Sequence, residues 1–101
     1  MANEFKNYAL SNVTTEANIV TCPTGSVITV IGSTVANTSG VPTTVGIKVN
    51  DVFLLKNALI ESGSSLVPIG GDQKVVLTEG DVLKISADAT VDVIVNALVQ
   101  A

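Results

Sequence analysis

The chain has no histidine, no arginine and no tryptophan, one cysteine, and few charges of either sign. Each shortage excludes something. Without histidine there is no Ser-His-Asp set, no Cys-His pair and no general base that titrates near neutrality. With Cys22 alone, an internal disulfide framework and a cysteine-based zinc site are both excluded. Without arginine the chain lacks the guanidinium forks that read phosphates, and the sequence shows no basic patch in their place, so neither nucleic acid nor an anionic membrane surface is an expected partner. No apolar run approaches the roughly 20 residues that span a bilayer. The opening "MANEFKNYALSN" has no basic segment followed by an apolar one, so no signal peptide is read there.

Charged residues make up 14% of the 101 residues, with nine acids against five lysines and a net charge of −4. A typical soluble domain carries about 25%. A surface so poor in charge consists largely of Ser, Thr, Asn, Gly and aliphatic side chains, which suits contact with other protein. A homo-oligomer or a component of an assembly is the expectation. The length fits one domain with one core. Cys22, beside Pro23, reads as a small buried apolar residue in a reducing compartment. Asn12 and Asn37 head glycosylation sequons that would matter only in a secreted chain.

What the chain does have is Val, Ile and Thr in short runs, broken at close intervals by Gly, Pro, Asn, Asp and Ser. No segment keeps a helical period. The pattern predicts an all-β, antiparallel, jelly-roll-like sandwich of about eight short strands. The expected strands cover residues 19–22, 27–36, 43–49, 53–60, 66–69, 73–77, 82–87 and 90–99. In the last of these Val91, Val93, Val95, Ala97 and Val99 share one face, and Ile94 and Leu98 lie on the otherwise polar face. Those two are candidate subunit contacts. Phe53 is expected to be buried. Residues 15–101 form the sandwich, and residues 1–14 are either an extended arm or the first strand. Phe5, Tyr8 and Leu10 in that segment are candidate anchors on a partner, with packing on the chain's own core as the alternative.

The acidic residues cluster with glycines in "GGDQ" (70–73) and "TEGD" (78–81). Gly70, Gly71, Asp72, Gly80 and Asp81 read as turn residues: glycine supplies backbone freedom, and aspartate bonds the backbone beyond it. Residues 78–81 read as a tight hairpin. Asp88 also sits beside a turn, and Asp92 faces outward between core valines. None of these acids has the buried setting that shifts a carboxyl for catalysis, and neither loop is long enough for a calcium site. No catalytic residue, metal or cofactor is expected.

The spacing Leu77-x-x-Gly80-Asp81-x-Leu83-x-Ile85 occurs before the last strands of many trimeric jelly-roll domains. More specifically, "TCPTG", "ANTSG", "LLKNALIESGSSLV", "GGDQKVVL" and "EGDVLKI" make the chain resemble the small virion structural proteins of tailed marine and cyanobacterial bacteriophages. The resemblance covers nearly everything from residue 20 to residue 95. It implies a β-sandwich built into a virion as a trimer, assembled in the bacterial host cytoplasm and carrying no catalytic or metal residues. The leading expectation is a capsid decoration (cement) protein seated on the exterior lattice of the major capsid protein. A neck, tail or fibre-base component is the alternative. A host-surface glycan- or receptor-binding module ranks below both, because sugar sites favour exposed aromatic platforms.

Overall fold

A computed structural model describes residues 3–70 and 74–101. Nine strands occur among these residues: β1 (Asn3–Val13), β2 (Ala17–Thr21), β3 (Val27–Asn37), β4 (Thr43–Val49), β5 (Val52–Ile60), β6 (Ser65–Ile69), β7 (Val75–Leu77), β8 (Val82–Ala87) and β9 (Val91–Gln100). They form two antiparallel sheets. The first runs β1-β9-β3-β6, with β7 also on β3, and the second runs β2-β8-β4-β5. The pairings are nested: β1 with β9, β2 with β8, β3 with β6 and β7, β4 with β5. The chain therefore behaves as one long antiparallel ribbon rolled onto itself, which is a jelly roll.

Alternation decides which residues enter the core. Val91, Val93, Val95 and Ala97 of β9 meet Ile28, Val30 and Val35 of β3 and, from the second sheet, Val45, Ile47, Leu83 and Ile85, all nearly inaccessible. β-branched side chains suit this arrangement because they lose little freedom on a pleated surface. Ser33 is a buried polar residue at a place where the β3–β6 register shifts, and its Oγ accepts a hydrogen bond from the Ile69 amide at 3.2 Å. The side chain thereby replaces a ladder acceptor lost at the bulge.

The structure chooses between the two readings of the N-terminal segment and refines the strand count. The first fourteen residues hold a strand and not a free arm, since Asn3–Leu10 pairs in unbroken register with Gln100–Val93. The count is nine against about eight expected because β1 joins the eight strands already read, and two of these, β6 and β7, both pair with β3.

Asn37 closes one end of the sandwich. Its Nδ2 donates to the carbonyls of Val41 (2.8 Å) and Ile60 (3.0 Å), while its Oδ1 accepts from the Ser39 amide (2.9 Å) and the Ser39 hydroxyl (2.7 Å). The glycosylation motif at this position is thus a buried brace, with Asn37 only 3% exposed.

Candidate interaction surfaces

Residues 78–81 are not a hairpin. β7 belongs to the first sheet and β8 to the second, so the segment carries the chain across the sandwich edge. Leu77 and Leu83 enter the same core from opposite layers. Gly80 has φ +87°, a conformation that L side chains rarely adopt. Asp81 Oδ2 accepts from the Thr78 amide (3.0 Å) and hydroxyl (3.1 Å), and its Oδ1 accepts from Asn50 Nδ2 (3.1 Å). These bonds, Asn50 first, hold the Asp81 carboxyl below the usual aspartate range. Backbone bonds Gly80 N–Cys22 O and Cys22 N–Asp81 O, both 2.9 Å, tie the corner to the loop after β2.

Two other acids are used in the same way. Asp88 accepts from the Thr44 hydroxyl, and Asp92, which faces outward as expected, accepts from the Asn12 amide at 2.9 Å. Gly70 follows β6 without a positive φ; a Cβ there would stand 3.0 Å from Val67 Cγ1, so close approach is what its small size serves. Gly71 and Asp72 lie outside the described residues. Among the described residues no group of three His, Cys, Asp or Glu side chains is placed to hold a metal.

Cys22 is 1% exposed, with its Sγ 3.4 Å from the Ser26 carbonyl. Burial, seconded by the nearby Asp81 and Glu79 charges, pushes the thiol above its ordinary pKa, which disfavours the reactive thiolate.

The three anchor candidates on β1 separate. Tyr8 and Leu10 lie opposite Val95 and Val93 and pack, half-buried, against the core. That is the packing alternative for these two. Phe5 lies opposite Leu98 on the outer face and is 76% exposed. Ile94 and Leu98 are on that same outer face, with Ile94 half-exposed. Rows across β1, β9 and β3 read Phe5–Leu98–Thr29, Asn7–Asn96–Gly32 and Ala9–Ile94–Thr34, with Val76 of β7 beside Thr29. Ile31, at the β3 bulge, joins Phe5, Asn7 and Asn96 around a shallow hollow of about 200 Å³. These three rows carry no charged residue; Lys6 also lines the hollow, and Asp92 lies beyond the Ile94 row, opposite Ala36. Sequence reasoning missed Ile31 and Val76, because apolar residues inside an apolar run show no sign of facing outward.

The outer face of the second sheet also exposes apolar side chains, Phe53 and Leu59, but it differs in carrying lysines. One row crosses all four of its strands: Asn18–Lys84–Lys48–Phe53. Phe53 is 45% exposed and not buried. Its ring lies over Gly46, where a Cβ would come 3.4 Å from Phe53 Cε1. The ammonium groups of Lys48 and Lys56 sit 5.4 and 5.2 Å from the ring centroid. Glu16 pairs with Lys48 at 3.2 Å. Three lysines distant in sequence thus form a small basic patch that the linear sequence conceals, which corrects the expectation of none.

No family model matches this chain, and no curated protein matches it. Among solved structures it is similar to a protein of Bacillus endospore appendages, described as forming a novel family of disulfide-linked pili. The TM-score is 0.54 with 14% sequence identity, over 99% of this chain and 87% of that one. At that identity the likeness is one of fold. Cys22, the one cysteine of this chain, is free and buried.

Proposed function

We propose that this chain is a non-enzymatic structural protein of a bacteriophage virion, a decoration protein that associates with copies of itself and seats on the major capsid lattice. The observation that carries the reading is the outer face of the first sheet, where Phe5, Ile31, Val76 and Ile94 are exposed within nearly uncharged rows. An apolar surface of that kind is costly to leave in water and is favourable to cover with protein. The phrases shared with small phage virion proteins supply the setting. Binding only to the mature lattice would stabilise the shell by mass action, and weak contacts repeated over many sites would add avidity. A trimer is the expected oligomer.

The test is the copy number of this chain per purified virion, measured against the major capsid protein. A ratio near that of a lattice component supports decoration. A few copies per particle would move the protein to the neck or tail, a reading with which a fold shared with a pilus-forming protein is compatible. Absence from the particle would end the virion proposal. Phe5→Ala and Ile94→Lys, both at exposed positions, are expected to lower attachment while leaving the fold intact.

A further inference from the structure

The basic patch on the second sheet goes beyond this reading and rests on its own geometry. Lys84 and Lys48 stand directly opposite one another on neighbouring antiparallel strands, a placement that destabilises like charges. Lys48 and Lys56 converge on the same ring from separate strands. The ring lies over Gly46, whose missing side chain leaves room for it, and Ser86 stands opposite Gly46 on the next strand. One carboxylate, Glu16, serves the group, and it serves Lys48. Among the described residues Lys84 and Lys56 have no carboxylate within ion-pair distance. The chain has nine acids and only five lysines, yet of the three lysines gathered here only Lys48 has an acid partner among the described residues.

We infer that the Lys48–Lys56–Lys84 patch, organised by Phe53, is a docking site for an extended acidic segment of a partner protein. Charge complementarity selects the occupant. Lysine ammoniums are point charges that accept single carboxylates, and the guanidinium fork suited to phosphate is missing. Strands lie about 4.8 Å apart, and alternate side chains of an extended peptide about 6.8 Å apart. A segment crossing the strands along the row would therefore offer carboxylates in turn to Lys84 and to the pair beside Phe53. Both faces of the sandwich then have a partner of different chemistry: apolar on the first sheet, acidic on the second.

The probe is a fluorescein-labelled deca-glutamate peptide, titrated with the whole purified chain at low ionic strength and read by fluorescence anisotropy. Binding is expected to weaken steeply with added salt. Lys56→Gln combined with Lys84→Gln should weaken it roughly tenfold, summing two exposed ion pairs. Phe53→Leu should weaken it about threefold by loosening the ammonium groups. Lys6→Gln, on the other sheet, should leave it unchanged. Circular dichroism checks that each variant keeps its β signature. Failure of the parent to bind the peptide, or equal binding by the double variant, overturns the proposal. Tighter binding of heparin or duplex DNA than of deca-glutamate, with the same lysine dependence, also overturns it and makes the patch a site for those polyanions. None of these outcomes depends on whether the chain is found in a virion.

Discussion

Replacing Asn37 with alanine should cost about 3 kcal/mol of folding stability, and the figure follows from the bonds lost. Four hydrogen bonds leave with the side chain: two donated to the Val41 and Ile60 carbonyls and two accepted from Ser39. The bond to Ile60 is buried. Stranding that carbonyl costs about 1–3 kcal/mol. The Ser39 and Val41 groups are part-buried and regain water, so their three bonds together contribute about 1 kcal/mol. The backbone bonds of residue 37, to Ser64 and Gly63, survive the change. A domain of this size has roughly 5–15 kcal/mol in total, so the loss is a large share of it. The assay is urea unfolding followed by far-ultraviolet circular dichroism. The midpoint should fall by at least about 1 M with an unchanged slope. A loss below about 0.5 kcal/mol, the level of an ordinary surface substitution, would refute the view of Asn37 as a buried brace. Ser39→Ala, which removes only its hydroxyl's bonds, should cost about 1 kcal/mol.

The remaining predictions concern the β7–β8 corner and the thiol. Gly80→Ala meets open space but keeps φ at +87°; it should destabilise by about 1 kcal/mol, and an unchanged urea midpoint would contradict the strained geometry. Asp81 has a depressed folded pKa, so the folded state holds on to the charge more strongly than the unfolded state. Its stabilising contribution is complete above the ordinary aspartate value of about 3.9 and is lost as pH falls through the lower folded value. The stability gap between the parent and Asp81→Asn should therefore be constant at neutral pH and close in acid; a gap that persists at the acid extreme would count against the Asn50 and Thr78 bonds. Cys22 should resist Ellman's reagent in the native protein and react fully in denaturant. Rapid native labelling would mean that the loop after β2 opens freely.

Much of the fold was legible because strand side chains alternate. Thr43–Val49 and Val82–Ala87 end where the alternating pattern ends, and the buried valines of β9 are those that share its apolar face. The corner at residues 78–81 shows the limit. Its turn chemistry was readable, since Gly80 and Asp81 act as their residue types suggest, but a turn sequence does not say whether the strand after it pairs with the strand before it. That depends on which layer has room for Leu77 and for Leu83. The same limit explains Tyr8 and Leu10, whose partners, Val95 and Val93, lie at the far end of the chain.

By itself the sequence determined the class of structure and the chemistry it excludes: β-branched alternation leads to a two-layered sandwich, and the lack of histidine and arginine removes whole families of sites. Only the tertiary structure decided which side chains share a surface. Phe5 and Leu98 became neighbours through the β1–β9 register, and Lys48, Lys56 and Lys84 through the order β8-β4-β5. The physical reason is that a period of two specifies inside and outside along a strand. The neighbour across the ladder is chosen by long-range pairing, which the best-packed core selects.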